Sequence, residues 1–106
     1  MYRAVMVDRL EQSKALAGEA RLAILGWLAE SDRHFGHQAT GAPSEIGVCV
    51  TLIAEKLEMA QPTVSRHLEL LRRAGFLSVN KIGRWSYFRR NEAAIEDYKR
   101  WIDEHL

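Results

Sequence analysis

The sequence predicts a mainly α-helical domain with one β-hairpin, in the order α-α-α-α-β-β-α. Three observations support this class. Five segments repeat apolar residues with the period of an α-helix, a tight turn separates the third segment from the fourth, and a stretch rich in β-branched and aromatic residues precedes the fifth. The chain has 106 residues. Since domains commonly run to about 100–200 residues, we expect one domain over residues 1–106.

The first two predicted helices are amphipathic. One covers residues 7–17 and the other covers residues 19–30, with Gly18 as the break between them. The apolar residues that recur at helical spacing are Leu10 and Leu16 in the first helix, and Leu22, Ile24, Leu25 and Leu28 in the second.

Residues 31–47 contain three glycines and one proline and show no helical periodicity. This composition predicts a loop. The loop is long for a connection in so small a domain, and loops of this length are often functional. A short extended segment is predicted directly after it, at residues 48–50.

The third and fourth helices are predicted at residues 51–59 and 61–74. Thr51 is a plausible N-cap of the third helix, because its hydroxyl can accept a hydrogen bond from a free backbone N–H. Pro62 suits the first turn of the fourth helix, where its missing N–H costs nothing. Gly75 suits the position just past that helix.

The hairpin is predicted from residues 76–79 and 84–89, which are rich in β-branched and aromatic types. A short segment containing Asn80 and Gly83 separates these two strands. Asn91 is the predicted N-cap of a last helix that runs to the end of the sequence.

Charge is distributed unevenly along the chain, although the net charge is only +1. Residues 61–90 hold seven lysines and arginines and a single acid, Glu69, and therefore carry +6. The rest of the chain carries −5. Such a basic stretch favours an anionic partner, although a merely solvated basic surface would have the same composition. The positions of the basic residues favour the anionic partner.

Two helices joined by a short turn form a helix-turn-helix, and the hairpin that follows makes the arrangement a winged helix-turn-helix. The spacing of Val64, Leu68 and Leu71 turns one face of the fourth helix inward. The other face can then enter a DNA major groove, which is about 12 Å wide. The predicted major-groove contacts are Gln61, Thr63, Ser65, Arg66 and His67; the predicted phosphate or minor-groove contacts are Arg72, Arg73, Lys81 and Arg84.

The run IAEKLEMAQPTVSRHLELLRRAGFLSVNKIGRWSYFRRN resembles the DNA-binding core of the arsenic-repressor-type (ArsR/SmtB) regulators. Upstream, ALAGEARLAILGWLAE resembles the second helix of that family. The resemblance covers about residues 10–95. It implies a homodimeric transcriptional repressor that binds double-stranded DNA at a palindromic operator and releases it on sensing a ligand.

Two features depart from the family pattern. Metalloid sensors of the family carry a Cys-Val-Cys triplet where this sequence has Cys49-Val50-Thr51. A three-thiolate arsenic site therefore cannot form from that motif within one subunit. The loop at residues 31–47 is also longer than the usual connection.

A metal site is nevertheless conceivable in this part of the chain. His34 and His37 are spaced H-x-x-H, and Cys49 follows twelve residues later. These three, with a carboxylate such as Glu45, would suit a Zn²⁺-like divalent metal, the one cofactor the sequence suggests. The alternatives are two exposed histidines and a cysteine that acts as a small apolar residue. A redox role for Cys49 is a third interpretation.

The terminal helices carry apolar residues that a domain of this size is unable to bury alone. We therefore predict that they form a homodimer interface. Its predicted residues are Leu10, Leu16, Ile95, Tyr98, Trp101 and Ile102.

Other classes of protein find little support in the sequence. It shows no nucleophile–base pairing and no phosphate-binding loop, so we do not expect an enzyme. No apolar run approaches the roughly 18 residues of a membrane span, and the single cysteine favours a reducing cytoplasm. Two rivals remain: a winged-helix module that binds proteins and does not read DNA, and a small metal-binding protein that uses His34, His37 and Cys49.

Overall fold

A computed structural model describes residues 8–106. Within this range the chain forms seven helices and one three-stranded sheet. None of the helices in that range combines the length and the apolar character needed to cross a membrane. The helices are α1 (Arg9–Leu16), α2 (Glu19–Ala29), α3 (Ser31–Phe35), α4 (Pro43–Ile46), α5 (Val50–Leu57), α6 (Gln61–Arg73) and α7 (Glu92–His105); the strands are β1 (Val48–Cys49), β2 (Leu77–Ile82) and β3 (Trp85–Arg90).

The mainly helical class with a hairpin is confirmed, and the order of elements needs three additions. Two short helices and one short strand lie between α2 and α5, where the sequence predicted a loop and an extended segment. The predicted first helix began at residue 7, which lies outside the described residues.

Side-chain caps fix two helix starts. The Asp8 carboxylate accepts a hydrogen bond from the Glu11 backbone N–H at 3.0 Å and so begins α1. Asn91 caps α7 as predicted, with the Ala94 N–H donating to its side chain at 3.2 Å. Thr51 was wrongly predicted as a cap, because α5 already begins at Val50.

The early start of α5 has a tertiary cause. Cys49 pairs with Tyr87 across β1 and β3, which holds the Cys49 backbone extended, and the helix begins at the next residue. The N-cap of α5 is therefore set by strand pairing, and its side chain makes no capping hydrogen bond.

The prediction of a featureless loop at residues 31–47 is wrong. Asp32 in α3 accepts hydrogen bonds from the Ser44 hydroxyl at 2.6 Å and from the Ser44 N–H at 3.0 Å, which ties α3 to α4. These bonds hold the pKa of Asp32 below its usual range. Phe35 is buried in the core. Helices of four and five residues are too short to produce a periodic pattern, so periodicity does not predict them.

Gln38 fastens the end of this segment to the sheet. Its Nε2 donates to the carbonyls of Gly41 and Gly47, each at 3.0 Å, and its Oε1 accepts from the Cys49 N–H at 2.9 Å. These bonds place β1 beside β3, and the sheet order is β1-β3-β2 with antiparallel pairing throughout.

The hairpin has a two-residue turn at Gly83 and Arg84, closed by the pairing of Ile82 with Trp85. Gly83 has φ +62°, a conformation that glycine adopts without steric cost. Glycine also ends α6 as predicted: Gly75 has φ +88°, and its N–H donates to the Arg72 carbonyl at 2.9 Å.

One core joins the elements that position α6. As predicted, Val64, Leu68 and Leu71 point inward, and all three are fully buried. Around them the core consists of apolar residues from α2, α3, α5, the sheet and α7. These include Ile24, Leu25, Leu28, Phe35, Val48, Ile53, Phe76, Leu77 and Ile95.

Candidate nucleic-acid interface

The turn between α5 and α6 sets the direction of α6 relative to α5. α5 ends at Leu57, and its C-cap, Glu58, adopts a left-handed conformation with φ 55°. The N–H groups of Glu58 and Met59 donate back to the carbonyls of Glu55 and Ala54 at 3.1 and 3.2 Å. Three residues, 58–60, therefore connect the two helices, and α5 and α6 form the helix-turn-helix.

The outer face of α6 presents polar side chains to solvent. The inner row is buried, and four of the predicted major-groove residues are exposed. The four are Gln61, Thr63, Ser65 and Arg66. Their donors and acceptors are of the kinds that read base edges.

The N-terminal end of α6 is also suited to an anion. Ala60 is the N-cap and offers no side-chain hydrogen bond, so the first N–H groups of the helix have no side-chain partner. Together with the helix dipole, such groups favour a phosphate at this end.

His67 differs from its neighbours because its ring is half-buried and already bonded within the protein. Nη1 of Arg21 lies 2.9 Å from His67 Nδ1. Burial, followed by the charges of Arg21 and Arg66, holds the pKa of His67 below its usual 6.5, so the ring is neutral at pH 7. Only the second ring nitrogen is left for DNA.

Two predicted phosphate contacts at the end of α6 have acidic neighbours. Arg72 donates to both carboxylate oxygens of Glu69 at 2.9 and 2.7 Å, which holds the pKa of Glu69 below its usual range. Arg73 lies 3.9 Å from the Glu11 carboxylate. Both arginines remain exposed. Because exposed ion pairs are weak, a DNA phosphate can replace the carboxylate as the partner of each arginine.

One of the seven basic residues at positions 61–90 is not part of the surface charge. Arg90 donates to both oxygens of Glu92 at 2.8 and 2.9 Å and to the Leu25 carbonyl at 3.0 Å. Its side chain is only 15% exposed, so the guanidinium stabilises the fold through these bonds and is not available to an anionic partner.

The hairpin carries exposed cations and an exposed apolar tip. Lys81 and Arg84 are both exposed, and within residues 8–106 neither forms an ion pair. Beside them Ile82 and Trp85 are 46% and 51% exposed. Trp85 and the exposed Arg89 on the same strand are not among the DNA contacts predicted from the sequence. Trp85 and Arg89 flank the buried Tyr87 at two-residue spacing, so all three lie on one face of β3.

The terminal helices pack into one layer. Arg9 donates to Asp97 at 2.8 Å, and the hydroxyls of Ser13 and Tyr98 are 2.8 Å apart. The six predicted interface residues form the stripe on α1 and α7. Leu10 is 64% exposed, and Ile95 is only 8% exposed and lies in the core. The other four, Leu16, Tyr98, Trp101 and Ile102, are half-buried. The assignment of Ile95 to the dimer interface is therefore wrong, because it belongs to the core cluster with Phe76 and Leu25.

The structure does not assemble the metal site suggested by His34, His37, Glu45 and Cys49. Across residues 8–106 no three His, Cys, Asp or Glu side chains come together as metal ligands would. His34 and His37 line one surface depression, and neither Glu45 nor Cys49 is among its lining residues. His34 lies among aromatic rings, 6.4 Å from that of Trp27, while Cys49 is held in β1.

Comparison with known proteins identifies this arrangement. The family described as "Bacterial regulatory protein, arsR family" matches residues 48–79, which run from β1 through α6 into β2. The HTH-type transcriptional regulator YbzH of Bacillus subtilis is 45% identical over 89 residues, covering 84% of this chain and 89% of that protein. The chain belongs to the ArsR family.

Two further relatives of this ArsR-family protein are informative. The arsenical resistance operon repressor of Escherichia coli is 38% identical over 77 residues, which cover 72% of this chain and 53% of that repressor. The solution structure of the homodimeric winged helix-turn-helix DNA-binding domain Mb0332 from Mycobacterium bovis has 28% identity and a TM-score of 0.65. That match covers 98% of this chain and 87% of the other.

Membership of the ArsR family decides the broad function. The protein is a transcriptional regulator with a winged helix-turn-helix DNA-binding fold, and not an enzyme. The two rival interpretations, a module that binds only proteins and a small metal-binding protein, are therefore set aside.

We expect arsenite to leave the DNA affinity of this ArsR-family protein unchanged. The chain has one cysteine, and Thr51 replaces the second thiolate with a hydroxyl, which is a poor ligand for soft ions. DNA binding measured across an arsenite titration, in the unmodified protein and in Cys49→Ser, should give the same curves. Release of DNA from the unmodified protein alone would show that Cys49 senses arsenite.

Proposed function

We propose that the protein is a homodimeric repressor that binds a palindromic operator through α6 and the hairpin and leaves it on binding a ligand. The observation that carries this proposal is the exposed polar row of α6 beside the basic hairpin, with the opposite row of α6 fully buried. A recognition helix needs both: a buried side that fixes its direction and an exposed side that enters the groove.

Within the proposal the exposed side chains have different tasks. Arg66 reads a guanine through its two-pronged guanidinium, and Gln61, Thr63 and Ser65 contact neighbouring base edges or phosphates. Lys81 and Arg84 hold the backbone or enter the minor groove from the hairpin. Arg72 and Arg73 hold phosphates at the far end of α6.

A palindromic operator follows from a two-fold dimer. Two recognition helices related by a two-fold axis read two half-sites about one helical turn apart, roughly 34–36 Å. Support for the dimer comes from the exposed Leu10 and the half-buried apolar residues of the stripe on α1 and α7, and from the homodimeric structure of Mb0332. Support for repression comes from the arsenical resistance operon repressor of Escherichia coli.

A gel-shift assay tests DNA binding directly. The expected result is a shift of the upstream region of the protein's own transcription unit at a lower protein concentration than is needed for a shuffled duplex of the same composition. The preference should persist as salt rises, whereas affinity for the shuffled duplex falls steeply. Equal affinity for both duplexes at every salt concentration would contradict operator recognition.

We expect the protein to be a dimer at micromolar concentration. The stripe on α1 and α7 adjoins an open, mainly apolar cavity of about 450 Å³, and a partner covering both would bury apolar surface that a small chain leaves exposed. Light scattering should give about twice the chain mass of 12.1 kDa. Trp101→Asp should shift the mass toward the monomer, and the matched control Trp85→Asp on the hairpin should not. A monomeric unmodified protein would rule out the two-half-site operator.

A further inference from the structure

Arg21 links three helices through its guanidinium. It lies on α2, and its Nε donates to the Ala15 carbonyl in α1 at 2.7 Å. Its Nη2 donates to the Ala17 carbonyl at 3.3 Å, just past the end of α1. Its Nη1 is 2.9 Å from Nδ1 of His67, which lies in the second turn of α6. One side chain therefore connects the end of α1 to the helix that reads DNA.

The chemistry of the pair fixes the state of the imidazole. Arginine is a donor only and keeps its proton at any accessible pH, so Nδ1 of His67 must be the acceptor. A neutral imidazole with an accepting Nδ1 carries its hydrogen on Nε2. His67 thus presents an N–H donor at Nε2, next to the exposed Thr63 and Arg66 in the first two turns of α6.

We propose that Arg21 is a positioning residue for DNA recognition: it anchors α6 to the end of α1 and holds His67 as the Nε2–H tautomer, whose N–H donates to operator DNA. The proposal rests on the DNA binding proposed above. It assigns a role in DNA recognition to Arg21, a residue outside the recognition helix, on the basis of its contacts with α1 and α6.

The charges around His67 give this arrangement a dependence on pH. Arg21 on α2 and Arg66 on α6 are the charged groups that act on the ring, and both are cations. Because the folded pKa of His67 is lowered, the neutral ring contributes stability above about pH 6.5, and this contribution is lost as pH falls through the lowered value. Protonation converts Nδ1 into a donor and removes the bond to Arg21.

Preference for the operator should therefore fall in acid. The added positive charge favours phosphate contact with any duplex, so affinity for a shuffled duplex should hold or rise over the same pH range. If the Arg21–His67 pair only stabilised the fold, the affinities for the operator and the shuffled duplex would fall together as the pH is lowered.

The first experiment needs no DNA. Nitrogen-15 imidazole NMR of the free, full-length protein reads the tautomer and the titration of His67. We expect the Nε2–H tautomer with a lowered pKa in the unmodified protein, and a mixture of tautomers with a changed pKa in Arg21→Gln. Arg21→Lys, which retains a cationic N–H donor group, should restore part of the preference for the Nε2–H tautomer. If Arg21→Gln leaves both tautomer and titration unchanged, the proposed role of Arg21 is wrong.

The second experiment separates positioning from reading by replacing one nitrogen of His67 at a time. In His67→Asn the amide oxygen stands close to Nδ1 and can accept from Arg21, but the Nε2–H is absent. In His67→Gln an amide N–H stands close to Nε2, but the acceptor for Arg21 is absent. Operator and shuffled affinities and melting temperature are measured for both variants and for Arg21→Gln.

We expect His67→Asn to melt close to the unmodified protein and to lose about fivefold in operator affinity, the equivalent of one hydrogen bond. His67→Gln should melt lower and keep more of the operator preference than His67→Asn. Operator affinity of His67→Asn equal to that of the unmodified protein would overturn the Nε2–H contact. If the unmodified protein prefers no duplex, operator binding fails and the Nε2–H contact fails with it, while the NMR result still decides whether Arg21 sets the tautomer.

Discussion

Replacing Phe76 with alanine is expected to lower the free energy of unfolding by about 3–5 kcal/mol, the usual cost of removing a buried aromatic ring. Phe76 is 1% exposed and sits where α6 meets the sheet. Its ring meets the edge of Tyr98 on α7, with ring centroids 5.4 Å apart and planes at 81°. The alanine variant loses these contacts and leaves a cavity between the recognition helix and the terminal layer. Urea denaturation measures the loss.

The matched control for this prediction is Trp85→Ala. Trp85 is also aromatic, but it is 51% exposed at the end of the hairpin. Its removal leaves no buried cavity, so we expect a change of less than about 1 kcal/mol. Equal destabilisation by the two substitutions would mean that the packing of Phe76 does not hold α6 to the rest of the domain.

Replacing Arg66 with alanine is expected to weaken operator binding by about 1–3 kcal/mol and to relax the preference at one base pair. Arg66 is exposed in the second turn of α6 and forms no ion pair within residues 8–106, so its donors are available to a guanine. Binding to operator, single-base variants and a shuffled duplex should be measured over a salt series. An equal loss on all duplexes would assign Arg66 to phosphate contact instead.

Arg84→Ala is the matched variant for this measurement. Arg84 is exposed in the two-residue turn of the hairpin, and in the proposed complex its side chain contacts phosphates or enters the minor groove. Its loss should weaken binding to operator and shuffled duplex alike and reduce the salt slope by about one unit. An unchanged slope and unchanged affinity for the shuffled duplex would show that the hairpin tip does not contact the DNA backbone.

The helix-turn-helix could be predicted because its determinants are local. The period of Val64, Leu68 and Leu71 defines a buried face whatever the rest of the chain does, and all three are fully buried. Gly75 and Asn91 terminate and start helices through their own conformational and hydrogen-bonding properties. The basic stretch was countable in the sequence, and the ArsR resemblance could be identified from the same residues.

The segment at residues 31–47 could not be predicted because distant contacts hold it. Asp32 and Ser44 are twelve positions apart, and Gln38 reaches the Cys49 N–H eleven positions away. Helices as short as α3 and α4 are marginal in isolation, so such tertiary hydrogen bonds and the burial of Phe35 decide their formation. Within residues 8–106 the same folding does not bring three of the candidate metal ligands together.

The sequence by itself determined which face of α6 packs on the core and where this helix begins and ends. It also determined that the outer face of α6 and the hairpin together are basic. Only the tertiary structure decided which of those basic and polar groups are available to a ligand. Arg90 is bound to Glu92 and to the Leu25 carbonyl, which lies 65 positions away. His67 is bound to Arg21, which lies 46 positions away. Periodicity and charge are properties of neighbouring residues, whereas a hydrogen-bond partner depends on which distant segments the shared core brings within about 3 Å.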